Sequence, residues 1–293
     1  MTGKKLLLVT LLNFSITVVQ IIGGIISNSL SLLSDALHNL GDSSAIFIAF
    51  LAGKRSQKKP DFKKTYGYKR IEILAALFNA VVLIGICVYL FFEAYHRFKN
   101  PSPIKGKLML FVAIFGLLIN VISVFILQKD KGTNLNVKAA YLHLLGDTLS
   151  SVAVIFGGIA IVIWKIYWID PLITVLVGIY IIKHTWGIVQ ESVDILMQGV
   201  PHEIELTEIK KEVEQIDKIN NIHHVHVWKL DDQKIFLEAH VDVKEDVSLS
   251  EAGKILAQIE NVLKDKFNIS HVTIQFGYNC CNGEDDLLAF NKE

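Results

Sequence analysis

Leu37-His38-Asn39-Leu40-Gly41-Asp42-Ser43 returns later in the chain as Leu142-His143-Leu144-Leu145-Gly146-Asp147-Thr148, so the pattern L-H-x-L-G-D-[S/T] occurs twice. In each copy a His and an Asp stand at i and i+4, which on a helix puts them on one face, one turn apart. Both copies lie inside apolar runs long enough to enter a bilayer, where an ionisable side chain is costly and by default marks an ion path or a site. Either residue alone is explained as readily by hydrogen bonding between helices. Paired copies in separate spans are much harder to explain that way. Together His38, Asp42, His143 and Asp147 make a set of imidazoles and carboxylates suited to tetrahedral zinc.

Outward from these motifs the chain is too apolar for an ordinary soluble protein: 293 residues, 52% hydrophobic, with mean hydropathy +0.42. Charge is uneven along it. Residues 6–190 carry the apolar spans, whereas residues 200–293 hold a large share of the acidic groups. The expected organisation is a transmembrane transport domain over 1–199, a cytoplasmic regulatory and dimerisation domain over 200–279, and a tail over 280–293. A formal net charge of +0 argues against a nucleic-acid partner, which usually shows as a basic excess. Cys87, Cys280 and Cys281 imply no disulfide framework. Lys4-Lys5 runs straight into Leu6-Leu7-Leu8, which reads as a first span and not as a removed signal peptide.

Six spans are expected, near 6–26, 30–52, 71–95, 108–127, 137–163 and 171–186, each roughly the 20 residues a helix needs to cross the hydrocarbon core. The second carries Ser34, Asp35, His38, Asn39, Asp42, Ser43 and Ser44, so hydropathy alone underrates it. Lys54 to Arg70 is a strongly basic connection and reads as a solvated loop that also orients its neighbours. Trp164, Tyr167 and Trp168 form an interfacial aromatic group. With the N-terminus inside, fourteen Lys and Arg fall on the inner side (Lys4, Lys5, Lys54, Arg55, Lys58, Lys59, Lys63, Lys64, Lys69, Arg70, Lys129, Lys131, Lys138, Lys183). Five fall outside (Arg97, Lys99, Lys105, Lys107, Lys165). The positive-inside rule then places both termini in the cytoplasm.

Beyond the spans the order of elements is αββαβ: a helix over 204–216, strands over 222–230 and 235–243, a helix opened by the capping box Ser248-Leu249-Ser250-Glu251 and running to 267, and a strand over 272–276. This is an α+β layer of two helices on an antiparallel or mixed sheet, of ferredoxin-like or metallochaperone-like type. Alternation puts Val225, Val227, Ile235, Leu237, Ala239, Val241, Val272, Ile274 and Phe276 on the helix-facing side. His224, His226, Trp228, Glu238, His240, Asp242, His271 and Gln275 share the other face. That face suggests a second metal site, a dimer contact or simply a solvated surface; His223 falls by parity on the apolar side. Cys280 and Cys281 are soft ligands within reach of such a site, or belong to an exposed tail.

Long stretches of this sequence resemble the cation diffusion facilitator family, in its zinc-exporting branch with the cobalt-zinc-cadmium resistance carriers. They are Asn28 to Ala36, Tyr66 to Ala76, Asn136 to Asp147, Ile195 to Pro201 and His223 to Trp228. The resemblance implies a homodimeric secondary transporter in a bacterial cytoplasmic membrane, exchanging Zn2+ from the cytoplasm for protons by alternating access. Its one intramembrane site falls on His38, Asp42, His143 and Asp147, and a His at the first position implies zinc preference. The resemblance also implies a structural metal in the cytoplasmic domain, with His223 and His240 as ligands; Gly253, Gln275 and Gly277 stand where other members carry His or Asp. His226 and His271 complete the candidate cytoplasmic set. A charge interlock of the family would pair Arg70 with Glu191 or Asp194.

The chemistry follows from the ligand types. His and Asp bind a dication only when deprotonated, so binding metal releases protons, and His titrates near physiological pH. Asp35, one turn before His38, reads as a supporting partner of the site, as an entry residue or as an outer helix charge. Glu72, Glu93, His96 and His184 read as structural. No HExxH pattern supplies the general base a metalloprotease needs, and no phosphate-binding glycine loop supports ATP-driven pumping, so an enzyme is not expected. The alternative is a membrane-anchored divalent-metal sensor using the His-rich cytoplasmic face.

Overall fold

The computed structural model describes residues 2–128, 135–278 and 287; the side chains of 2–7, 46, 49, 50, 135–140, 142 and 143 lie outside that description. Six long helices come first: α1 (Thr2–Ser27), α2 (Leu30–Ser56), α3 (Ile71–Lys99), α4 (Gly106–Gln128), α5 (Leu135–Trp164) and α6 (Ile169–Leu196). Among the described residues five of them, all but α2, contain a stretch long and apolar enough to cross a membrane. At about 1.5 Å per residue the 27 residues of α2 are also long enough. What sets α2 apart is its buried polar stripe of Ser31, Ser34, Asp35, His38 and Asn39. The helices turn the opposite kind of surface outward, with Phe78, Phe92, Phe111, Phe125 and Phe156 exposed, as a lipid-facing surface requires.

Short polar turns fix how the helices start. Asn28 adopts a left-handed φ of 59° between α1 and α2. Its amide donates to Ser102 Oγ at 3.1 Å. Arg97 Nη1 donates to the Asn28 carbonyl oxygen at 2.6 Å. The first turn of α2 is capped by Asp170, fully buried in the first turn of α6. Its carboxylate accepts from Leu30 N at 2.7 Å, Ser29 Oγ at 2.7 Å and Ser31 Oγ at 2.6 Å. A carboxylate at a helix N-terminus satisfies its orphan N–H groups and meets its positive dipole end.

The chain divides into two compact units, one of Met1–Ala52 with Ala75–Val189, the other of Gly53–Leu74 with Gln190–Glu293. The second unit contains α7 (Leu206–Glu214), β1 (Ile219–Lys229), β2 (Ile235–Val243), α8 (Leu249–Phe267) and β3 (Ile269–Gly277). The sheet order is β1-β2-β3, with β1 antiparallel and β3 parallel to β2, so the sheet is mixed. A parallel neighbour needs a crossover, and α8 supplies it. Ile209 and Val213 of α7 and Ile255, Ile259 and Leu263 of α8, spaced at helical intervals, bury against Val225, Val227, Leu237, Ala239 and Val241. Ser248 caps α8 by accepting from Glu251 N, as the capping box predicts.

The basic segment after α2 is a largely exposed connection, as its reading as a solvated loop expects, with an ordered turn inside it. Asp61 organises it, accepting from Lys63 N at 3.0 Å, Lys64 N at 2.9 Å and the Tyr68 hydroxyl at 2.8 Å. These bonds to its charged form, led by that from Tyr68, hold the Asp61 carboxyl down at about 2. Arg55 and Lys58 lie over the Tyr68 ring, at 5.5 and 4.8 Å from its centroid. Gly67, with φ of 77°, completes the turn in a conformation that disfavours any side chain.

Candidate metal centre

The first motif lies in α2, which places His38 and Asp42 one turn apart with His38 Nδ1 3.5 Å from Asp42 Oδ2. Across the helix pair, His38 Nε2 stands 3.6 Å from Asp147 Oδ1 in the second motif on α5. One ligand atom from each of His38, Asp42 and Asp147 falls within 4.8 Å of the others, and this is the group of metal-type ligands that converges among the described residues. A tetrahedral ion with bonds of about 2.0–2.2 Å holds its ligand atoms about 3.3–3.6 Å apart, so modest movement suffices to enclose a dication. His143 lies one turn before Asp147 on the same helix; its side chain is outside the described residues. Each motif glycine lets a neighbouring helix approach. A Cβ on Gly41 would lie 3.1 Å from Leu83 of α3, and one on Gly146 2.9 Å from the Tyr180 hydroxyl of α6.

Behind this cluster lies a polar network the sequence shows only in part. Asp35, buried and one turn from His38, accepts from Gln20 Nε2 of α1 at 2.8 Å and from the Ser150 hydroxyl of α5. Asn39 donates to Gln20 Oε1 at 3.2 Å, and Asn120 of α4 donates to Ser151 Oγ at 3.3 Å. Asp35 is therefore a buried partner of α5 and not an outer helix charge. Ser150 and Ser151 were not singled out as site residues. Their signal was positional: they stand three and four residues after Asp147, on the same helical face.

The histidines of the second unit are brought together selectively. His223 and His240 are register partners with ring centroids 5.5 Å apart. The β1 ladder shifts between His223 and His226, and His224 there takes a left-handed φ of 51°. The His224 ring lies 4.5 Å from His240, on the face that alternation gives them both; what strict alternation does not anticipate is that His223, on the apolar side by parity, also meets His240 in register. His223 is 1% exposed, and both its ring nitrogens are buried without a hydrogen-bond partner among the described residues. Burial first, then His224 and His223, push the His240 imidazole below its ordinary range. His226 lies beside Glu238 in the register, with its ring 5.0 Å from His224. His271 does not join them; it packs on Phe236 at 4.7 Å, while Gln275 occupies the place opposite His240. Cys280 and Cys281 lie outside the described residues.

The interlock suggested for Arg70 does not form: Asp194 faces His202 at 3.5 Å, and among the described residues no ion pair joins Arg70 to Asp194 or Glu191. Glu72 bonds the Ser56 hydroxyl and Glu93 pairs with Arg97 at 3.0 Å, both in structural roles as expected.

A bundle of apolar helices around a buried His-carboxylate cluster, followed by a small α+β domain, defines a multi-pass membrane protein of the metal-transport class. Residues 6–197 match the cation efflux transmembrane domain, and residues 201–277 match the cytoplasmic domain of cation efflux proteins; the chain belongs to the cation efflux family. It is 39% identical over 274 residues to the cation efflux system protein CzcD of Alcaligenes sp. (strain CT14), covering 94% of this chain and 86% of that one. The cadmium, cobalt and zinc/H(+)-K(+) antiporter of Bacillus subtilis is 37% identical, with 99% of this chain and 94% of that protein covered. The zinc transporter ZitB of Escherichia coli (strain K12) is 37% identical, with 91% and 85% covered.

Proposed function

We propose that this protein exports divalent metal, foremost Zn2+, from the cytoplasm in exchange for protons. The carrying site is His38, Asp42, His143 and Asp147. The observation that carries this reading is the 3.6 Å approach of His38 Nε2 to Asp147 Oδ1, which joins the paired motifs of α2 and α5 at one buried point. Carboxylates gathered there repel one another unless a cation or protons neutralise them, so metal and proton compete for the same atoms. That competition is the exchange. The relatives named for zinc, cadmium and cobalt, one of them as an H(+)-K(+) antiporter, support the substrate class and the counter-ion.

In this reading residues 1–199 transport, 200–279 regulate and pair two copies as a homodimer, and 280–293 form a tail. The protein sits in a bacterial cytoplasmic membrane, contacting lipid, with both termini inside; it needs no nucleic acid and catalyses no covalent reaction. His223 and His240, with His224 beside them, hold a structural or regulatory zinc, and the unpartnered ring of His223 favours that site. His226 and His271 stand at its margin. The test is zinc flux into proteoliposomes under an imposed pH gradient, comparing the native chain with Asp147→Asn. Flux that is driven by the gradient and lost in the variant supports the carrier. Gradient-independent flux refutes proton exchange, and absence of flux from the native chain favours the anchored sensor.

A further inference from the structure

The basic segment and the sheet of the second unit line an open cleft of about 990 Å³, at the upper end of the range for small-molecule sites. Lys63, Lys64, Lys69 and Arg70 line one side. None of them has an ion-pair partner among the described residues, although Lys58, in the same segment, pairs with Asp61 at 3.4 Å. Arg70 Nε is buried there without a hydrogen-bond partner. A buried guanidinium N–H of this kind has room for an acceptor from a ligand or water. Trp228 of β1 also lines the cleft, with Val225 and Val227. Glu238 is the lone carboxylate among the lining residues.

We propose that this cleft binds an organic phosphate, with the cations on the phosphate oxygens and Trp228 against the organic body. The guanidinium fork and the lysine point charges are the recurring partners of phosphate. The cleft is far larger than bare phosphate needs, so the ligand has a body as well as a charge. The segment is preorganised for this by Asp61 and Gly67, which hold the lysines in place before any ligand arrives. Such a phosphate comes either from a soluble ester or from the headgroup of an anionic phospholipid, since Ile71 and Leu74, at the start of α3, also line the cleft.

Calorimetric titration of the full chain in neutral detergent tests the site. The probes are ATP, short-chain phosphatidylglycerol and, as zwitterionic control, short-chain phosphatidylcholine. Saturable binding of one ligand per chain by ATP or phosphatidylglycerol is expected, and the probe that saturates identifies the source. Lys63→Gln/Lys64→Gln, at exposed positions that leave the fold alone, should weaken it at least tenfold, about what removal of nearby cations implies. Lys54→Gln/Lys59→Gln removes the same charge outside the cleft and should leave affinity within about twofold. No saturation by either anionic probe, phosphatidylcholine binding as well as phosphatidylglycerol, or equal loss in both variants overturns the proposal.

Discussion

Two groups of histidine sit in this chain, and they are built on opposite principles. In the membrane His38 lies between carboxylates, Asp42 at 3.5 Å and Asp147 at 3.6 Å. In the second unit His240 lies between histidines, with His223 and His224 against it. The first arrangement accumulates negative charge that something must neutralise, and a dication or protons do so interchangeably. The second accumulates neutral donors that lose metal affinity only when protonated, fixed on paired strands that hold their geometry. A site for passage needs competition and movement; a site for retention needs neither. In the proposed reading the first site carries cargo and the second keeps a resident ion.

The sharpest way to break that contrast is to exchange the consequences of damage. Asp42→Ala or Asp147→Ala should lower proteoliposome zinc flux by about 100-fold or more, since even supporting partners of metal ligands cost about 10–100-fold. His240→Ala should leave flux within a few-fold while removing zinc retained by the purified protein, read by elemental analysis after dialysis. Flux loss in His240→Ala as deep as in Asp147→Ala would erase the distinction. A smaller effect is expected from the network behind the site. Ser150→Ala removes the hydroxyl that donates to Asp35 and should lower flux about tenfold at unchanged expression.

How far the sequence revealed this contrast depends on the period of each element. His38, Asp42 and Asp147 were legible because a repeated i, i+4 pair inside an apolar run has few other meanings. The capped helix from Ser248 and the buried parity of Leu237, Ala239 and Val241 were legible for the same reason: one period dominates each. The His223–His240 pairing was not, because a bulge is an interruption of the period and leaves no residue signature when no glycine marks it. The turn inside the basic segment was hidden because eight cations outweigh Asp61 in any composition, although Asp61 organises it. The pairing of Arg70 with Glu191 or Asp194, which the resemblance implied, does not appear among the described residues.

His223 sharpens the comparison on stability instead of flux. A buried imidazole with both nitrogens unpartnered costs about 1–3 kcal/mol unless a metal takes one of them. In chelator-treated protein His223→Leu should therefore slow hydrogen exchange of the peptide over 219–243. Added zinc should slow that exchange in the native chain and not in the variant. If zinc protects both equally, the resident ion is held elsewhere.

The smallest effect, and the one that isolates the histidine environment, is on pH. The His240 imidazole is held below its ordinary 6.5, by burial first and then by His224 and His223, against the opposing pull of Glu238 and Asp242. The folded sheet thus takes up a proton less readily than the unfolded chain. Its stabilisation is complete above about pH 6.5, falls as pH drops from there toward the folded-state value, and levels off below it. In metal-free protein the protection factors of β1 and β2 amides, taken relative to the base-catalysed intrinsic rate at each pH, should be lower at pH 5.5 than at pH 7.5, and His240→Gln should flatten that dependence. The shift is modest because the ring is only partly buried and solvent screens its neighbours. An unchanged slope in the variant would move the titration to another group and leave the crowding of the three rings without a protonation cost.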